Sequence, residues 1–157
     1  MIQRIQSVYL LITSVLATLC AIFPFAYLTT SNGYMYDLYA KGLIMVSGDV
    51  AQPTIYLFVI TILAAVVPFL TIFFFNKRML QIRLCGICTV LLLGIYIIGG
   101  VYFYLSDRVF SLINNDTISF GVHPALFAPI IGIVLSVLAG KAILQDELLI
   151  RSVNRIR

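Results

Sequence analysis

The sequence predicts an all-α integral membrane protein: four transmembrane helices, both termini on the cytoplasmic side, and small β-hairpins in the two external loops. Three observations carry that prediction. Of the 157 residues, 62% are hydrophobic and only 10% charged, against about 45–50% and about 25% in a soluble domain. Four windows long enough to cross a bilayer core about 30 Å thick are almost free of ionisable side chains. The Lys and Arg residues, finally, gather on one side of those windows. With a mean hydropathy of +1.09, one water-soluble core would leave most of the apolar surface uncovered, whereas a bilayer solvates it without a partner.

The spans are expected at about 7–28, 54–75, 84–105 and 124–144, within a single transmembrane domain over 1–157. The first three, from Ser7, Thr54 and Leu84, contain no Asp, Glu, Lys, Arg or His. The fourth starts at Pro124, a favoured first helical position, and carries Lys141 near its end, where the long stem can snorkel to the headgroups. The first span follows Arg4 and contains Leu19-Cys20, but it exceeds the apolar length of a cleavable signal and the bulky Leu19 spoils a lipoprotein-type site. It is expected to stay as a helix.

Orientation follows from counting basic residues. Arg4, Lys77, Arg78, Arg83, Lys141, Arg151, Arg155 and Arg157 fall on one side, Lys41 and Arg108 on the other. The positive-inside rule then makes both termini cytoplasmic. The basic excess speaks to orientation and to anionic lipid at the cytoplasmic face rather than to nucleic acid. In the first external loop, Tyr34 to Tyr39 and Leu43 to Val46 flank a Gly-containing connection. In the second, Val109 to Ile113 and Thr117 to Phe120 flank Asn114-Asn115-Asp116. Both read as hairpins, and together as a small shared β-cap, because lone hairpins are marginal in water.

Residues suited to chemistry are few. Cys85 and Cys88 form a Cys-x-x-Cys pair, but it opens the third span on the side where thiols are kept reduced, and cysteine is a common small buried residue. His123, the single histidine, has no companions at metal-ligand spacing and reads as an interface residue. No ionisable residue interrupts the middle of a span, which is where ion and proton paths leave their trace. No cofactor is expected. Packing signals are stronger: Ala128, Gly132, Ser136 and Gly140 recur every four residues and bare one face of the fourth span to a neighbouring helix, either this chain's own or a partner's. The tail 145–157 reads as a short amphipathic extension among the headgroups.

Three segments carry a resemblance: Met1 to Leu11, Leu80 to Cys85, and Asp146 to Arg157. With four spans in this length, the chain resembles domain-of-unknown-function family 4293 (DUF4293). That resemblance implies a small inner-membrane protein of Gram-negative bacteria and no particular reaction. Its distinguishing residues, Gln3, Arg4, Gln6, Gln81, Arg83, Asp146, Arg151, Ser152 and Arg155, all fall on the cytoplasmic side. Most of them form an expected polar platform, in which Arg83 or Arg4 would pair with Asp146 or Glu147. The functional expectation is a non-enzymatic accessory or scaffold subunit of an inner-membrane complex for protein export, envelope biogenesis or respiration, with other membrane subunits as partners. The alternative is a small-molecule or lipid-binding membrane protein, including a thiol-quinone oxidoreductase using Cys85 and Cys88.

Overall fold

The computed structural model describes residues 3–30, 33, 35–45, 50–74, 77–114 and 118–155. Helix α1, Gln3–Ile22, leads into strands β1, Ala26–Thr30, β2, Met35–Tyr39, β3, Gly42–Met45, and β4, Val50–Pro53. Helices α2, Ile55–Phe73, and α3, Arg78–Asn114, follow. Strand β5, Ile118–Val122, then enters a 3-10 turn, Pro124–Phe127, that opens α4, Ala128–Arg155. All four helices are long and apolar enough to cross a membrane. α1 and α3 each pack against both α2 and α4, which closes a four-helix ring.

The bundle interior mixes small and hydroxylic residues with a few large aliphatic ones, Leu10, Leu57, Leu92 and Ile143, and most other bulky apolar side chains stand on the outer faces. Ala17, Ala64, Ala139, Thr13, Thr61, Thr71 and Ser136 are buried, while Ile97, Val90 and Tyr56 stand on the outer faces. That arrangement suits lipid, where association depends on close backbone approach rather than on burying bulk. The buried hydroxyls need acceptors and find them one turn back: Thr61 donates to the Leu57 carbonyl at 2.7 Å, Thr71 to Val67 at 2.6 Å, Ser136 to Gly132 at 2.9 Å. Ser14 instead crosses from α1 to the Ala65 carbonyl of α2 at 2.8 Å. It bonds beside the Ala64 carbonyl, which loses its usual donor because Pro68 has no N–H.

The strands form one antiparallel sheet in the order β4-β3-β2-β1-β5. The expected first-loop hairpin is β2 and β3, with Tyr39 opposite Gly42. Two expectations are corrected. The first span ends at Ile22 rather than 28, because Pro24 cannot continue the helix, and Ala26 to Thr30 joins the sheet. The second-loop hairpin does not form: Val109 to Ile113 is helical, α3 running unbroken to Asn114, and β5 pairs with β1 instead. Ser106 to Asn114 contains neither Gly nor Pro, and Val109, Leu112 and Ile113 fit helical spacing as well as strand spacing. The tail extends α4 as a helix to Arg155. One face of the sheet buries Leu28, Tyr36, Leu38 and Leu43 against Phe103 of α3.

Candidate functional site

Each group of residues singled out from the sequence has a definite place. A Cβ added at Gly132 would lie 3.2 Å from Leu92 Cδ1 and 3.6 Å from Thr13 Cγ2, and one at Gly140 would lie 3.5 Å from Cys85 Cβ. Gly132 and Gly140 therefore face the chain's own α1 and α3; Ser136 is fully buried between them in sequence, and Ala128 packs on the sheet-end core. This stripe is an internal seam.

At the end of the bundle that holds both termini, Gln6 Nε2 donates to Asp146 Oδ2 at 2.6 Å, joining residues 140 apart in sequence. Gln81 is buried at the same end, a turn before Cys85. Asp146 takes the Gln6 amide; Arg83, one of the cations expected at Asp146 or Glu147, is exposed and, among the described residues, forms no ion pair with Asp146. An amide satisfies the carboxylate without desolvating a second charge. The side chains of Gln3, Arg4, Arg151 and Arg155 lie outside the described residues.

Cys85 and Cys88 are free and buried, Cys85 among Leu10, Ala139 and Ile143. Cys20 donates its S–H toward the Ala125 carbonyl at 3.7 Å. At the opposite end, His123 Nε2 lies 3.5 Å from Asp37 Oδ1 and its ring meets Tyr27 edge-on at 5.3 Å. Two such groups are too few to hold a metal, and among the described residues no cluster of three or more His, Cys, Asp or Glu occurs.

One feature with room for a ligand is a cavity of about 240 Å³ between the sheet and the bundle. Its roof is Phe25, Ala26, Leu38 and Val122; its wall is Tyr96, Gly99, Gly100 and Phe103 of α3; Leu126 and Pro129 close the α4 side. The lining is almost wholly apolar. The Tyr96 hydroxyl, its most polar group, donates to the Leu126 carbonyl and so pins α3 to the 3-10 turn. Gly99 and Gly100 make the wall thin, and a Cβ at Gly100 would meet nothing within 4 Å. Nothing in the sequence distinguishes these two glycines from ordinary helix-packing glycines. Apolar clefts with few polar groups are the usual form of small-molecule sites.

The sequence model of one family, Domain of unknown function (DUF4293), matches residues 2–156. No curated protein matches the chain.

Proposed function

The chain belongs to the DUF4293 family, whose function is unknown, and we propose that it is a non-catalytic membrane protein that holds the apolar chain of a lipid or isoprenoid under its sheet. The cavity carries this reading. Its volume of about 240 Å³ and its apolar lining suit methylene or isoprene units and offer nothing to a charged substrate. The polar side chains of the interior support the non-catalytic part, since Tyr96, Thr61, Thr71 and the Gln6–Asp146 pair are engaged in structural hydrogen bonds. A thiol-quinone mechanism fits the geometry less well. Cys88 lies eight residues before Tyr96 in α3, a helix rise of about 12 Å that separates the thiols from the cavity.

The test is native mass spectrometry of the protein released from mild detergent, with organic extraction of whatever it carries. Wild type is expected to retain an apolar molecule. Gly100→Leu adds bulk at the cavity wall, where the first added carbon would meet no atom within 4 Å, so it is expected to lower occupancy about tenfold, equivalent to 1.4 kcal/mol, with no change in melting temperature. Equal occupancy in both proteins, or none in wild type, sinks the reading. The same spectra report any second subunit, so the role as an accessory subunit of an inner-membrane complex is read out alongside.

The proposed orientation places both termini in the bacterial cytoplasm, with the basic residues of the termini and of the α2–α3 linker against anionic lipid. Cysteines introduced at Ser119 and Lys77, both exposed, are expected to label from outside and from inside respectively. The native thiols are buried and give little background. Labelling of the Lys77 position from outside inverts the orientation.

A further inference from the structure

Edge strand β5 does not share the cover of its neighbour. The register sets Phe120 opposite Leu28 and Val122 opposite Ala26, so these four side chains stand on one face of the sheet. Leu28 and Ala26 are 2% and 7% exposed, whereas Phe120 and Val122 are each 58% exposed. β1 leaves α1 at Ala26 and β5 runs from Val122 into the turn before α4, so this pair forms the end of the sheet nearest the bundle. The depth of that end is marked by α3. Phe103 meets the Phe120 ring edge-on at 5.6 Å and lies within the apolar stretch of α3 that extends to Leu105. Val101 and Tyr104 of α3 and Phe127 of the 3-10 turn are exposed as well, continuing the outer apolar belt of the helices up to the strand. The other face differs. There the Tyr27 ring covers Gly121, with Asp37 and His123 beside it.

We propose that the foot of β5, Phe120 with Val122, inserts into the headgroup-proximal layer of the bilayer, so that the sheet is held by the lipid surface as well as by the helices. Aromatic side chains concentrate at that depth because their rings tolerate the mixed environment. The inference rests on the membrane-spanning reading; Val122 also borders the cavity, whereas Phe120 is not among the residues that line it.

The chain has no Trp, so single-Trp variants of the full protein in phosphatidylcholine–phosphatidylglycerol vesicles report one site at a time. Val90→Trp, on a side chain 67% exposed near the middle of the apolar stretch Arg78–Leu105 of α3, is expected to be quenched most by lipid brominated near the chain end. Phe120→Trp is expected to be quenched most by lipid brominated near the headgroup, and to emit at shorter wavelength than Ser119→Trp on the opposite face. Ser119→Trp is expected to respond to aqueous iodide instead. Val122→Trp repeats the measurement if Phe120→Trp unfolds the sheet. Iodide quenching of the strand's foot equal to that of Ser119→Trp overturns the proposal. So does shielding from both quenchers, which would mean protein cover such as a second copy. If Val90→Trp itself escapes the lipid quenchers, the membrane-spanning reading fails and this inference with it.

Discussion

Gly132→Leu is expected to lower the stability of the bundle by about 3 kcal/mol or more, the upper end of the range for overpacked cores. At this point α4 has one helix on each side of its bare face. The first side-chain carbon would already lie 3.2 Å from Leu92 of α3 and 3.6 Å from Thr13 of α1, so three further carbons must push both helices away together. Separation also opens the contacts around Ser136 and Ala139, which are fully buried on the same helix. Gly132→Ala is the control. Its single methyl asks only the far end of Leu92 to shift by a few tenths of an ångström, and the helix propensity gained over Gly, about 1 kcal/mol, offsets that strain. Thermal unfolding followed with a thiol-reactive dye measures both, since Cys20, Cys85 and Cys88 are buried and become reactive as the bundle opens. If Gly132→Leu melts with wild type, the seam does not run through this glycine.

What the sequence made legible follows from which property is local. Each helix is an apolar stretch of its own, so the number of spans could be read directly, and the four-residue recurrence of Gly132, Ser136 and Gly140 marked the face of α4 that turns inward. Apolarity cannot separate an apolar helix from an apolar strand, however. Phe25 to Leu28 satisfied the span criterion although Pro24 had already ended the helix. Val109 to Ile113 looked β-prone although nothing in the chain interrupts the helix there. The cavity was less visible still. Gly99 and Gly100 supply its thin wall, but its roof comes from Ala26, Leu38 and Val122 on three strands that meet only once β5 pairs with β1. No single segment encodes that closure.

The polar platform divides the same way, and its second member gives the other large effect. The order of the four apolar stretches puts Gln6 and Asp146 at one end of the bundle, and tertiary packing alone decides that they bond to each other. Asp146→Leu is expected to cost about 1–3 kcal/mol, because the Gln6 amide, 3% exposed on its residue, then loses the acceptor of its 2.6 Å bond. Asp146→Asn keeps an amide oxygen for the same Nε2 donor and gives up the charge-assisted part, so its loss is expected to be the smaller. The double variant Gln6→Leu with Asp146→Leu removes donor and acceptor together and is expected to recover much of the stability lost in Asp146→Leu, since apolar replacement of both partners can be nearly neutral. The cycle therefore predicts a coupling of about 0.5–3 kcal/mol between positions at opposite ends of the chain. A surface ion pair with a flexible arginine would give about 0–1 kcal/mol and fade in salt. Unfolding of the four proteins at low and high salt separates the two cases: a coupling that persists in salt belongs to the buried amide, and strict additivity means that Gln6 and Asp146 do not hold α1 to α4.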